Sequence, residues 1–136
     1  MHNALSLITF MTDEYDPTIA WFQHALRFHL LEDTDKGGGK RWVRMAPQPD
    51  ATHAILIGRA TTDNQRAAIG NQHGGRVGFF LETDDFDAMH KHMLASGVTF
   101  REKPRFEPYG IVAVFEDLHG APWDLLQYSS DAGDTG

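Results

Sequence analysis

Thr12-Asp13-Glu14-Tyr15-Asp16 and Thr83-Asp84-Asp85-Phe86-Asp87 are two copies of one signal. Each follows an apolar run, Leu5 to Met11 in one case and Val77 to Leu81 in the other. Each leads into a helical pattern, through Ile19-Ala20-Trp21-Phe22 and through Met89-His90-Lys91-His92-Met93. A second apolar run then follows in both, Phe28-His29-Leu30-Leu31 and Val98-Thr99-Phe100. Asp13 and Asp84 are 71 residues apart in a chain of 136, so the repeat spans half the protein. Two copies make a duplicated module, since a solenoid needs more.

Working outward, residues 4–11 read as a strand that is apolar on both faces and therefore buried. Asp16 is placed as an N-cap with Pro17 at the first helical position. Tyr15, Ile19, Phe22 and Leu26 recur at helical spacing. Residues 28–32 read as a strand and 35–39 as a glycine turn, because glycine takes positive φ without strain. Residues 40–46 and 53–58 complete a β-α-β-β-β module. The polar stretch 61–75 is a linker, with one helical turn after Asp63. In the second half, 76–83 is a strand and Asp85 caps a helix with Phe86, Met89, His90, Met93 and Leu94 on its core face. Gly97 ends that helix. Strands are expected at 98–102, 111–116 and 122–128, with a loop over 104–109. The fold class is α+β: two tandem β-α-β-β-β modules, 4–59 and 76–128, joined by a linker over 60–75. Together they form one domain over 1–128, and 129–136 is a flexible tail.

Composition narrows the partners. The net charge is −7 with histidines neutral, which disfavours nucleic acid and favours neutral or cationic small molecules. Cysteine is absent, so disulfides, thiolate metal sites and cysteine nucleophiles are excluded, and a cytoplasmic location is compatible. No apolar run approaches the ~20 residues of a membrane span.

The ending Phe115-Glu116-Asp117-Leu118-His119-Gly120-Ala121-Pro122-Trp123-Asp124-Leu125-Leu126, the acidic-aromatic helix start and the Gly97-Val98 helix exit resemble the vicinal oxygen chelate superfamily. This is the group of glyoxalase I, extradiol dioxygenases, fosfomycin-resistance enzymes and bleomycin-binding proteins. The resemblance covers residues 4 to 128. It implies curled mixed sheets around a cleft, and frequently a homodimer. It also implies a divalent metal held by His, Gln or Glu on the first and last strand of each half. Here those positions fall on Asp124, on Arg76 or Gly78, on Leu5 or Leu7, and on Ile57 or Ile55 with His53 nearby. Asp124 and His53 are the metal ligands left if a metal binds, short of the three usual in a catalytic zinc site. A fixed cation at Arg76 would repel a metal. No cofactor is therefore expected, and an Arg76–Asp124 ion pair fills the vacated place.

Trp42, Phe80, Tyr109 and Trp123 are large aromatics on or beside the cleft strands, suited to a flat or cationic ligand. Arg41, with Lys40 and Arg44, brackets Trp42 and suits a carboxylate or phosphate. The ligand-binding set is thus Arg76, Asp124, Trp42, Phe80, Tyr109, Trp123 and Arg41. Three functions compete: a small-molecule-binding protein of the bleomycin-resistance kind, a metal-dependent lyase or dioxygenase, and a metal-free enzyme using Arg76 and Asp124.

Overall fold

In a computed structural model describing residues 1–130, the chain divides into two compact units, one over Met1–Gly70 and one beginning at Asn71. In the first, β1 (Leu7–Thr12), α1 (Tyr15–Ala25), β2 (His29–Gly37), β3 (Lys40–Ala46) and β4 (Ala54–Arg59) follow in order, then α2 (Asp63–Ala68). In the second the order is β5 (Phe79–Glu82), α3 (Phe86–Ala95), β6 (Arg105–Glu107), β7 (Gly110–Glu116) and β8 (Pro122–Tyr128). Both sheets have four strands in equivalent orders, β1-β4-β3-β2 and β5-β8-β7-β6. The first strand of each pairs parallel with the last, and the other neighbours are antiparallel. This is the duplicated β-α-β-β-β module that the repeat predicts.

Strand alternation decides which residues each helix covers. In the first unit the register aligns Phe10, Ile57 and Val43 in one row. Phe22 of α1 closes on this row, with its ring 5.0 Å from Phe10 and 5.2 Å from Phe28. Phe22, Val43 and Met45 are fully buried. In the second unit Leu81, Leu125 and Ala113 form the equivalent row, and Phe79, Trp123 and Phe115 the next row on the same face, with Phe79 stacked on Trp123 at 4.6 Å.

Several boundaries differ from expectation. Helix α1 begins at Tyr15 with Glu14 as its N-cap, and no side chain caps it. Asp16 and Pro17 lie inside the first turn, where backbone N–H groups have no helical partner and proline is tolerated. Strand β2 runs on to Gly37, which still pairs with Lys40, and the turn contracts to Gly38-Gly39, at φ +64° and +82°. Two positive φ values in succession suit a two-residue hairpin. The six residues of α2 replace the single helical turn expected in the linker, and Thr62 accepts from Gln65 N–H as its cap. Strand β5 is shorter than 76–83, so Arg76 lies outside it. Residues 98–102 make only one bridge, Phe100 to Phe115, and the second strand of this module is 105–107 instead. Pro104, without an N–H, ends the first stretch, and the expected loop carries β6.

Asp85 caps α3 as expected, accepting from Ala88 N–H at 3.2 Å, and Gln127 Oε1 accepts a further helix N–H, from Phe86, at 2.7 Å. Phe86 and Met93 are its buried residues, while Leu94 is exposed. Gly97 leaves the helix at φ +84°. Ser129, expected in the frayed tail, donates its N–H to Tyr109 O at 2.8 Å. The tail from 131 onward lies outside the described residues.

Candidate functional site

The sheet face opposite each helix carries the strand residues that alternate with the buried, helix-facing ones. In the second unit the central row of that face is Phe80, Asp124 and Val114. Asp124 alternates with the buried Trp123 and Leu125, so its carboxylate points away from α3. Its Oδ1 is buried without a hydrogen-bond partner. Burial pushes its pKa above the ordinary carboxylate range, with Arg105 opposing the shift and Glu102 adding to it. An acceptor in this state is costly to the fold and open to any donor that reaches it.

Beside this row stands a guanidinium held by two acids. Arg105 Nε donates to both oxygens of Glu102 at 2.9 Å, and its Nη1 donates to Glu107 Oε1 at 2.6 Å. Glu102 Oε1 also accepts Val114 N–H at 3.1 Å, which ties the pair to Asp124's neighbour strand. Phe80 is 64% exposed, next to Asp124 in register. Tyr109 and Tyr128 are exposed at 40% and 49%, with ring centroids 6.4 Å apart. Arg105 lies in the stretch 104–109 expected as a loop, and Glu102 at the end of the strand expected over 98–102. The alternation Arg105-Phe106-Glu107 beside Ile111 to Glu116 was the available signal.

The expected site residues divide between the units. Phe80, Tyr109 and Asp124 share the second. Trp123 is 2% exposed on the helix side and donates its indole N–H to Asp117 Oδ2 at 2.9 Å, so it is a core residue and does not line an open face. Arg76 precedes β5 and forms no ion pair with Asp124 among the described residues. Its N–H bonds to His73 O. Gly78 has no room for a side chain, because a Cβ there would overlap the His73 imidazole. Trp42 and Arg41 belong to the first unit. Arg41 pairs with Asp33 at 2.6 Å and Asp16 at 2.8 Å, and holds the Asp33 carboxyl below its usual range.

The first unit's row equivalent to Phe80-Asp124-Val114 is Thr9-Leu56-Arg44. Leu56 therefore stands where Asp124 does, while Ile57 faces α1 with Phe10 and Val43. Ile55 shares that parity. Leu5, on the other first-strand position, precedes β1 and is exposed. Arg44 donates to Glu32 at 2.9 Å. His53 is exposed just before β4, with its Nδ1 3.1 Å from Thr52 Oγ1. These rows supply one carboxylate, one hydroxyl, an arginine and apolar groups. Among the described residues no group of three or more His, Asp or Glu is placed to hold a metal ion. Three protein ligands is the usual minimum for a catalytic zinc, so this donor set does not fit a divalent metal.

Comparison with known proteins agrees with this architecture. A family model, the glyoxalase/bleomycin resistance protein/dioxygenase superfamily, matches residues 4–125. The chain belongs to that superfamily. An uncharacterized protein from Shewanella frigidimarina (strain NCIMB 400) is 41% identical over 128 residues, covering 93% of this chain and 95% of its own. Among solved structures, UcmS2 is similar with a TM-score of 0.78 at 24% identity, covering 93% of this chain and 98% of its own. TnmS3, an antibiotic binding protein from Streptomyces sp. CB03234, has a TM-score of 0.74 at 24% identity, covering 94% of this chain and 98% of its own. At these identities the two structures establish likeness of fold. No helix among the described residues is long and apolar enough to cross a membrane.

Proposed function

We propose that the protein binds a small molecule on the open face of its second sheet without a metal of its own. The observation that carries this reading is the Asp124 carboxylate, whose buried Oδ1 lacks a donor, set beside the exposed ring of Phe80. A ligand with a flat ring and an ammonium or N–H group would stack on Phe80 and donate to Asp124. The net charge of −7 favours a cationic ligand. Membership of a superfamily named in part for bleomycin resistance, and likeness in fold to an antibiotic-binding protein, support this ligand class. On the resemblance alone the working form is a homodimer, which light scattering on the purified chain would check, and the absence of cysteine is compatible with a cytoplasmic location.

The test is calorimetric titration with bleomycin, an anthracycline and a cationic acridine. At least one should bind saturably, and Phe80→Ala, at an exposed position that leaves folding alone, should weaken it about tenfold, or ~1.4 kcal/mol. Equal affinity in the variant, or no binding by all three, would count against the reading.

A further inference from the structure

The chain has 19 acidic residues against 12 lysines and arginines, yet one hollow of about 310 Å³ in its first unit has no acid in its lining. It opens where two strands part. Strands β3 and β4 pair from Met45↔Ile55 only as far as Val43↔Ile57. Beyond that pair, Lys40 to Trp42 and Gly58 to Arg59 continue unpaired with each other and line the hollow. Tyr15 of α1 enters this seam, and its hydroxyl accepts the Arg41 N–H at 3.1 Å.

Two guanidiniums rest on that one ring. Arg41 lies 5.0 Å and Arg59 5.6 Å from the Tyr15 centroid. Carboxylates neutralise Arg41, as described above. Arg59 and Lys40 have no carboxylate partner among the described residues. The Arg59 guanidinium lies against Gly39, where a Cβ would come within 3.0 Å of it. Gln65 completes the donors: Thr61 N–H and hydroxyl both bond to its Oε1, at 2.7 and 3.1 Å, so its NH2 is the end left to donate. Trp42 adds a half-buried ring to the lining. Arg59, Lys40 and Gln65 all line a space of this size; a planar fork, an ammonium and an amide N–H are the donors an oxyanion needs, and the rings match a flat body attached to it.

We propose that this hollow is an oxyanion site that takes a phosphate or carboxylate carried on an aromatic ring. It involves none of the residues in the Asp124 reading and stands or falls separately.

The experiment titrates the full chain with phenyl phosphate, benzoate and inorganic phosphate, by calorimetry and by the indole N–H signal of Trp42. Phenyl phosphate or benzoate should saturate with a Kd below ~1 mM at low salt, and the tighter of the two tells phosphate from carboxylate. Inorganic phosphate, lacking the ring, should bind more weakly. Arg59→Ala and Lys40→Ala should each weaken binding at least about fivefold, while Arg66→Ala, on α2 and paired with Asp63, should not. Lys40 is exposed, so its variant decides the matter if Arg59→Ala fails to fold. No saturation by ~10 mM of either ring compound, or unchanged affinity in Lys40→Ala, overturns the proposal.

Discussion

Replacing Asp124 by asparagine removes one charge and leaves the shape of the side chain in place. In the wild type the buried Oδ1 has no donor, and Arg105, the nearby cation, is already engaged by Glu102 and Glu107. Burying an unsatisfied polar atom costs about 1–3 kcal/mol, and more when charged. The residue is only partly buried, so solvent screens part of that cost and the lower end applies. The neutral amide should therefore stabilise the fold by about 1 kcal/mol at pH 7.5. At ~2.1 cal/mol/K per residue, 136 residues give an unfolding entropy near 0.3 kcal/mol/K, so Tm should rise ~3 °C. The pH dependence has a definite sign. The folded pKa of Asp124 is raised, so the native state holds its proton to higher pH than the unfolded chain. Its contribution to stability is full below the unfolded pKa and lost as pH rises through the folded one. The gap between variant and wild type should thus narrow as pH falls through the folded pKa of Asp124. Scanning calorimetry from pH 4 to 8 (roughly the window of carboxylate titration) reads this directly. A variant less stable than wild type at pH 7.5 would refute the reasoning, because it would mean that the carboxylate has a partner. The same substitution should weaken any ligand that donates to Asp124.

Two further outcomes follow from the second unit. Asp117, 6% exposed, accepts from His119 N–H at 2.8 Å, Ala121 N–H at 3.2 Å and the Trp123 indole at 2.9 Å. Asp117→Ala should cost about 3 kcal/mol and ~10 °C of Tm in thermal denaturation. Chelator-stripped protein should show no specific Tm increase with Ni, Zn, Mn, Co or Fe(II). Binding at a hundredfold excess over Kd would add about 2.7 kcal/mol, and a shift abolished by Asp124→Ala would reinstate a metal site.

The duplicated fold was legible because its signals are local. The acidic-aromatic helix starts, Gly97, the glycine turn within 35–39 and the turn that Gly120 N–H closes on Asp117 O each act within a few residues. The site was less legible because it depends on register. Trp123 and Asp124 are adjacent in sequence and lie on opposite faces of β8, and only the pairing with Phe79 and Phe80 tells which face is open. Leu56 was mistaken for its neighbours Ile55 and Ile57 for the same reason. Glu102 and Arg105 were missed because Pro104 stands between them and the strand of Arg105 has only three residues, so its alternation is a weak signal.

Each sheet is completed only when its first strand meets its last. Leu7 pairs with Ala54, 47 residues later, and Phe79 with Trp123, 44 residues later. At ~5–20 residues per second on the ribosome, β1 waits about 2–10 s for its partner. It meets β4 before β8 has been made. The order of synthesis therefore separates two strand pairs that would otherwise compete, and it protects the first copy from mispairing with the second. Refolding from denaturant offers both partners at once and lacks that protection.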